Sequence, residues 1–410
     1  MNADTREFDL IVVGATGFTG ALVTEYLCER YGIGGSLRWA AAGRNEAKLS
    51  ALRESLGQKA ESLPLMVADT LDAASVSELA KRSRVILTTV GPYARYGSEL
   101  VAACAENGTH YCDLAGEVQW IRRMIDAHDA TARKSGARIV HCCGFDSIPM
   151  DIGTWFLQQE ANKRTGAYCN SITLLVRAMK GGASGGTMAS MMNLMREARA
   201  DREVARVLAR PYSLNPDGER RGPDRGDQRG VRFDADAGSW TAPFIMASVN
   251  TRVVRRSHAL LGHPWGADFR YHEAIRTGRG MGGWARAAMI TAGLGGLVGL
   301  ASFSGSRGLL ERFVLPKPGT GPDAEARENG FFNLEHIGKL ADGGRIRSRI
   351  TGDRDPGYGS TSKMLAESAV CLAHDDLDSR GGVLTPAAAM AAPLIRRLTT
   401  NAGLSFQILV

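Results

Sequence analysis

The first 150 residues alternate short apolar runs with amphipathic stretches, and this alternation restricts the fold more than any other feature. The apolar runs, each bounded by polar or glycine-rich positions, are residues 8–13, 37–42, 64–68, 84–90, 110–114 and 137–142. Helical patterns fill the intervals at 17–30, 46–56, 97–107 and 117–134, and Asp72 is the predicted N-cap of one more helix. Uniformly apolar strands are typical of a parallel sheet covered by helices on both faces. The sequence therefore predicts an α/β, Rossmann-type parallel-sheet domain over residues 1–150.

Beyond residue 150 the alternation ends, which predicts a second domain of the α+β kind over 151–410. We expect strands at 170–179, 245–254, 345–351 and 405–410, and helices at 184–208, 362–373 and 386–398. Residues 213–240 are dense in Gly, Pro, Asp and Arg, which indicates a surface loop. Residues 356–410 are expected to pack back on the first domain.

The composition is that of a globular protein with a basic surface. The chain has 410 residues, 44% of them hydrophobic, and a formal net charge of +7. The excess is scattered arginine, which suits phosphorylated cofactors, acyl carriers or anionic lipids. A basic stripe with interleaved aromatics is absent from the sequence, so nucleic acid is not an expected partner. Seven cysteines without a Cys-x-x-Cys pair indicate reduced thiols and a cytoplasmic location. The polar N-terminus leads directly into a strand, so no signal peptide is expected.

A glycine-rich motif follows the first predicted strand and opens the first helix. Gly14 permits a tight turn, Gly17 lets a pyrophosphate approach the backbone, and Gly20 lets helix and strand pack closely. Phosphates would then lie at the positive end of the helix. We therefore predict a dinucleotide site that includes the intervening Thr16, Phe18 and Thr19.

The residues after the second predicted strand indicate which dinucleotide binds. Arg44, Asn45 and Lys48 follow that strand, where NAD-specific sites usually carry an acid. A guanidinium can pair with a ribose 2′-phosphate, so NADP(H) is the predicted cofactor. Asp69 is predicted either to bind the adenine amino group or to form a turn. The segment Val90-Gly91-Pro92 is expected to pass the nicotinamide.

Residues 284–306 form a lipophilic segment, and 287–303 carry no charge. Arginines flank it at 279, 286, 307 and 312, and Gly295 and Gly299 would let another helix approach closely. Three interpretations stay open: a core or interface helix, a membrane-surface or acyl-binding segment, and a membrane span, for which the length is marginal. Peripheral attachment to the inner face of the plasma membrane is our hypothesis for this segment.

Motifs along nearly the whole chain resemble the saccharopine dehydrogenase family, in particular its trans-acting enoyl reductase branch. They are GATGFTG, AAGRN, TTVGPYARYGSELVAAC, THYCDLAGE, CGFDSIPMDIG, KGGASGGTMAS, PFIMASVNTRVVRRS, GDRDPGYGSTSKMLAESAVCL and GGVLTPAAAM. The resemblance implies a second domain for substrate contacts and homodimerisation. It also implies NADPH-dependent reduction of a C=C bond on a lipid-like or carrier-bound acyl chain, held by a polyketide or fatty acid synthase.

Such a reduction needs a proton source and a hydrogen-bond donor to the carbonyl oxygen. Tyr93 is the preferred candidate and Tyr96 the second, although a tyrosine packed beneath the cofactor loop explains Tyr93 equally well. Asp113 is an acid or relay candidate, with helix capping as its alternative. Ser147 is a candidate for orienting the substrate carbonyl, again with capping as its alternative.

Two other functions stay open at this stage: a non-catalytic NADP-binding scaffold at a membrane or synthase, and an amino-acid dehydrogenase of the saccharopine type. The sequence contains no metal-ligand spacing and no Gly-x-Ser-x-Gly nucleophile motif. Neither a metal site nor serine hydrolase chemistry is therefore predicted.

Overall fold

The computed structural model describes residues 6–181, 185–302 and 321–409, and it divides the chain into two compact units. The first comprises Met1–Phe145 and Gly357–Ala402, and the second comprises Asp146–Pro356 and Gly403–Val410. The first unit therefore consists of two stretches of the chain, an N-terminal one and a C-terminal one, and a single boundary near residue 150 does not describe it.

The first unit is built on a seven-stranded sheet in which all paired strands are parallel. Its strands are β1 (Phe8–Val13), β2 (Trp39–Gly43), β3 (Leu65–Val67), β4 (Ser83–Thr88), β5 (His110–Cys112), β6 (Arg138–Val140) and β13 (Gly382–Leu384). The order is β13-β6-β5-β4-β1-β2-β3. All six residues of β1 are buried, as expected of a central parallel strand. Strand order reverses between β1 and β4, and at such a switch point doubly wound sheets bind ligands.

Helices of the first unit begin and end close to the sequence predictions. They are α1 (Phe18–Tyr31), α2 (Glu46–Ser55), α3 (Ala73–Arg82), α4 (Tyr93–Tyr96), α5 (Ser98–Asn107), α6 (Val118–Ser135), α13 (Thr361–His374) and α14 (Pro386–Asn401). Asp72 is the N-cap of α3, because its side chain accepts a hydrogen bond from the Ala74 amide at 3.0 Å. The predicted Rossmann-type architecture is confirmed.

The second unit is built on a mixed seven-stranded sheet in the order β14-β12-β11-β7-β10-β9-β8. Its strands are β7 (Ser171–Lys180), β8 (Arg232–Asp234), β9 (Ser239–Pro243), β10 (Arg270–Gly278), β11 (Phe331–Lys339), β12 (Arg345–Gly352) and β14 (Leu404–Leu409). Its helices are α7 (Ile148–Thr165), α8 (Gly185–Ala200), α9 (Arg202–Ala209), α10 (Ala247–Leu260), α11 (Gly280–Ser302) and α12 (Ala324–Glu328). The predicted α+β class of this part is confirmed.

The strand predicted at 245–254 is wrong, because α10 occupies this stretch. Its valines and threonine resemble a strand locally, but tertiary contacts select the helix. The buried Arg252 pairs with Asp227, and the buried Arg255 donates from Nε to Asp224 at 2.6 Å. Helical spacing lets these arginines and the neighbouring valines be buried together.

Two further boundaries differ from prediction. The region 213–240 is not one continuous loop, since it contains β8 and the beginning of β9. The long helix predicted at 184–208 is interrupted at Asp201, whose side chain caps α9 by accepting from the Glu203 amide at 2.7 Å. All seven cysteines are free and buried. Among the described residues, no helix is long and apolar enough to cross a membrane.

Candidate active site

The turn between β1 and α1 excludes side chains at two of its glycines. Gly14 has a φ of +84°, and a Cβ there would lie 2.6 Å from Cγ2 of Val90. A Cβ on Gly20 would lie 2.0 Å from the carbonyl oxygen of Gly14, so α1 packs directly against the end of β1. Gly17, the N-cap residue of α1, is exposed. The turn thus offers bare backbone at a helix N-terminus, which is the geometry that suits a pyrophosphate.

The side chains between these glycines border the same turn. Oγ1 of Thr16 lies 3.7 Å from the position of a Cβ on Gly43, which places Thr16 beside the end of β2. The ring of Phe18 meets Tyr358 edge-on at 5.2 Å, and Thr19 is half-buried. The position of Thr16 thus shows that the glycine turn lies next to the end of β2.

That segment presents two cations to solvent. Arg44 and Lys48 are exposed, and their side chains make no hydrogen bond or ion pair with any described residue. Asn45 is the N-cap of α2, since its Oδ1 accepts from the Lys48 amide at 2.9 Å. The residues present therefore fit a dinucleotide with a 2′-phosphate: the turn would receive the pyrophosphate, and two cations without a described ion-pair partner follow β2.

Asp69 forms a turn after β3. Its Oδ1 accepts from the Leu71 amide at 3.0 Å, while its own amide donates to Oγ of Ser75 at 3.2 Å. The turn interpretation of Asp69 accounts for these contacts, and binding of adenine by this residue stays a prediction.

A buried carboxylate, that of Glu117, binds the backbone of the loop after β4. The Glu117 side chain accepts from the Tyr93 amide at 2.7 Å and from the Ala94 amide at 3.1 Å, and so caps α4. Gly91 is exposed and Pro92 is half-buried, and the peptide between them is cis. The loop predicted to pass the nicotinamide is thus anchored at its C-terminal end.

Tyr93 is buried, and its hydroxyl is used within the domain. The hydroxyl donates to the Thr88 carbonyl at 3.2 Å and accepts from the Leu114 amide at 3.2 Å. The ring stacks on Trp120 at 5.6 Å. Burial, followed by the negative charge of Asp113, raises the pKa of Tyr93 well above its ordinary value. These contacts favour the packing role for Tyr93 over proton donation.

Tyr96 lies one turn further along the chain and differs from Tyr93 in its burial and in the hydrogen bonding of its hydroxyl. It is half-buried, and its hydroxyl makes no hydrogen bond with any described residue. The guanidinium of Arg95 lies 5.5 Å from the centre of its ring. Tyr96 is therefore the tyrosine of this loop whose hydroxyl no described residue engages.

Asp113 is fully buried and accepts hydrogen bonds on both oxygens. Oδ2 accepts from the Tyr111 hydroxyl at 2.9 Å and lies 2.7 Å from Nδ1 of His141. Oδ1 accepts from the amides of Ala115 at 2.9 Å and Cys142 at 3.1 Å. The carboxylate ties β5 to β6, and this structural role accounts for its contacts without a catalytic one.

Ser147 begins a buried polar chain within the second unit. Its Oγ donates to the Asp146 carbonyl at 2.7 Å and lies 3.3 Å from Oδ1 of Asn250. Nδ2 of Asn250 donates to Oε2 of Glu273 at 3.0 Å, and the Tyr271 hydroxyl donates to Oε1 at 2.9 Å. Burial raises the pKa of Glu273 to about 8, although both hydrogen bonds lower it. Near neutral pH this carboxyl therefore retains a proton.

Sequence reasoning missed Asn250 and Glu273. Asn250 fell in the stretch predicted as a strand, and β10 was not predicted at all. The available signal for Glu273 was its spacing: in a strand-like run it lies two residues from both Tyr271 and Ile275, and therefore on the same face as these two residues. In the described part of the chain, no group of three or more His, Cys, Asp or Glu residues is arranged to hold a metal ion.

The strand order and the glycine turn together define a dinucleotide-binding oxidoreductase domain. Residues 10–140 match the family model of the saccharopine dehydrogenase NADP binding domain. The cofactor is therefore NADP(H), as the sequence predicts, and the protein is an NADP-dependent oxidoreductase.

Full-length relatives define the family more narrowly. The chain is 44% identical to a Mycobacterium tuberculosis protein that is provisionally named a trans-acting enoyl reductase, over 99% of both chains. It is 41% identical to the trans-acting enoyl reductase of Mycobacterium ulcerans and 40% identical to that of Mycobacterium bovis, over 97% of both chains in each case. The chain therefore belongs to the trans-acting enoyl reductase family.

A solved structure shows the same fold at low sequence identity. The apo saccharopine dehydrogenase (L-Glu forming) of Saccharomyces cerevisiae matches with a TM-score of 0.55 and 12% identity, over 98% of this chain and 100% of that one. At this identity the likeness concerns the fold alone.

Proposed function

We propose that this protein uses NADPH to reduce a carbon–carbon double bond in an acyl or polyketide chain that a partner synthase holds on a carrier. The observation that carries this proposal is the 40–44% identity to trans-acting enoyl reductases over nearly the full length of both chains. When bound, NADPH supplies a hydride for the β-carbon of the unsaturated thioester. One proton must reach the α-carbon to complete the reduction.

Residues of the first unit would hold the cofactor as their positions suggest. The backbone from Gly14 to Gly20 would receive the pyrophosphate, and Arg44 and Lys48 the 2′-phosphate. Neither the guanidinium of Arg44 nor the ammonium group of Lys48 is paired with a described residue, which supports this assignment. An anion there gains charge-assisted hydrogen bonds without first breaking an ion pair. Val90, which contacts Gly14, would border the nicotinamide side.

Tyr96 is the proposed donor to the substrate, either of the proton or of a hydrogen bond to the thioester carbonyl. Tyr96 is half-buried, and no described residue engages its hydroxyl, which supports this role. Tyr93 would hold the loop that carries Tyr96, because its hydroxyl joins Thr88 to Leu114. Ser147 would orient a substrate carbonyl only if its hydrogen bonds to Asp146 and Asn250 were exchanged for substrate.

The direct test supplies NADPH and an enoyl thioester on a pantetheine arm and follows the loss of cofactor fluorescence. Turnover that depends on the double bond, with the saturated thioester as product, is the expected result. Cofactor binding without turnover on any carrier-bound enoyl chain would instead support the non-catalytic scaffold. Oxidation of saccharopine with NADP⁺ would support the amino-acid dehydrogenase.

We further propose that α11 rests on an anionic membrane surface. Three large apolar side chains in the first half of this helix are exposed, namely Met281 at 81%, Met289 at 72% and Trp284 at 45%. Arg279 and Arg286 lie at its N-terminal end, where they complement anionic headgroups. A helix of this kind gains free energy when its apolar face leaves water.

Co-sedimentation with vesicles of phosphatidylcholine and phosphatidylglycerol tests this placement. We expect Met289→Ser to reduce the bound fraction severalfold, whereas Met179→Ser, at an exposed methionine of β7, leaves it unchanged. The family resemblance also implies a homodimer, which light scattering after gel filtration tests. If Met289→Ser dissociates a dimer without altering vesicle binding, α11 is a subunit interface and not a membrane contact.

A further inference from the structure

One face of the second sheet gathers arginines around a single buried carboxylate. Residues paired directly in an antiparallel ladder point to the same side, and Glu335 of β11 pairs with Arg349 of β12. Arg345 and Arg347, which precede Arg349 in β12, point to the same side as Arg349, because side chains alternate along a strand. α7 packs on the other side, where a Cβ on Gly153 would lie 2.7 Å from the His336 ring.

Three of the guanidiniums converge on Glu335, and we refer to them as the arginine cluster. Nη1 of Arg177 donates to Oε2 at 2.7 Å, and Nε of Arg347 donates to Oε1 at 2.7 Å. Nη1 of Arg276 lies 3.8 Å from Oε2. Burial alone would raise the pKa of Glu335, but the hydrogen bonds from Arg347 and Arg177 outweigh it and lower the pKa. The carboxylate is ionised, and one negative charge faces three positive charges.

The excess positive charge is not neutralised within the described part of the sheet. Burial lowers the pKa of Arg276, and the neighbouring charges of Arg177 and Arg347 lower it further, while Glu335 acts in the opposite direction. Beside them, Nε of Arg349 is buried and has no hydrogen-bond partner among the described residues. The sheet holds these cations together at a cost in free energy, and a bound anion would relieve that cost.

The cluster is open to a solute while its carboxylate is not. The side chains of Arg177, Arg276 and Arg347 are 32%, 23% and 46% exposed, whereas Glu335 is fully buried. Arg345, two residues along the same strand and 49% exposed, has its own carboxylate partner in Asp236. It therefore provides a matched arginine outside the cluster.

We propose that the arginine cluster is a binding site for a phosphate ester. Guanidinium groups fixed by a carboxylate present parallel N–H donors, which match phosphate oxygens better than a single ammonium does. The phosphate of a carrier's pantetheine arm and that of a lipid headgroup share this chemistry. The arginine cluster belongs to the second unit, whereas the glycine turn belongs to the first.

Calorimetric titration tests the site on full-length protein saturated with NADP⁺, so that the glycine turn is occupied. Pantetheine 4′-phosphate is expected to bind saturably, and pantetheine, which lacks only the phosphate, is not. Arg347→Gln and Arg177→Gln should each weaken binding by about tenfold or more, the effect of losing one charge-assisted hydrogen bond. Arg345→Gln should change the affinity by less than about twofold.

Vesicles containing phosphatidylglycerol distinguish the two sources. Loss of vesicle binding in Arg347→Gln, without binding of the soluble ester, identifies a lipid headgroup as the ligand. The proposal is overturned if neither probe binds, if pantetheine binds as well as its phosphate, or if Arg345→Gln weakens binding as much as Arg347→Gln. No turnover is measured, so these outcomes leave the proposed reduction unaffected.

Discussion

Replacing the buried Glu273 by Gln should remove a large pH dependence from the stability of the second unit. Burial raises the pKa of this carboxyl from 4.5 to about 8, and its partners Asn250 and Tyr271 lower it only in part. The folded state therefore holds a proton that the unfolded state releases once the pH exceeds about 4.5. The stability that the group contributes is complete below that pH and is lost as the pH rises through about 8.

The size of the effect follows from the difference between the two pKa values. Each pH unit within the interval changes the free energy of unfolding by about 1.4 kcal/mol. Between about pH 5 and about pH 8 the wild type should lose about 4 kcal/mol relative to Glu273→Gln, which cannot titrate. The amide preserves the side-chain volume, and rotation of the Asn250 amide restores a donor–acceptor pair with it.

Hydrogen exchange of the β10 amides over a urea series provides the assay, because it reports opening of this unit apart from the other. Glu328→Gln, at an exposed carboxyl of α12, is the control and should follow the wild type at every pH. A stability difference between wild type and Glu273→Gln that stays constant from about pH 5 to about pH 8 would show that Glu273 does not carry the buried proton.

Four further predictions concern the first unit. Arg44→Gln should weaken NADPH binding by about tenfold or more while leaving NADH binding within about twofold, as cofactor fluorescence titration would show, and equal losses for both would contradict the 2′-phosphate assignment. Tyr96→Phe should lower kcat for enoyl reduction by about a hundredfold while its melting temperature stays near that of the wild type. Tyr93→Phe should instead lower the melting temperature, because it leaves the half-buried Leu114 amide without its acceptor, and a normal melting temperature with lost turnover would return Tyr93 to the catalytic role. Gly20→Ala should destabilise the domain by about 3 kcal/mol or more in urea unfolding, since its Cβ would lie 2.0 Å from a carbonyl oxygen, and a well-folded variant would argue against this turn geometry.

The amino-acid sequence by itself determined most of the strands and helices in the N-terminal part of the first unit. The run 8–13, apolar except for Asp9, is β1, and the helices predicted after it begin within a residue or two of their observed starts. Local signals suffice here, because a buried parallel strand, a capping Asp72 and a glycine turn each specify their own backbone. The same local chemistry indicated NADP(H) through Arg44.

Only the tertiary structure decided the second unit and the roles of its polar side chains. The stretch that forms α10 has strand-like valines, and its helix depends on burying Arg252 and Arg255 against acids about 25 to 31 positions away. The assignment of 357–402 to the first unit depends on β13 pairing with β6, more than 240 positions earlier. Periodicity records which face of an element is apolar, whereas these partners are set by the folded chain. For the same reason the sequence could nominate both Tyr93 and Tyr96, and only their hydrogen bonds distinguish a packed hydroxyl from an available one.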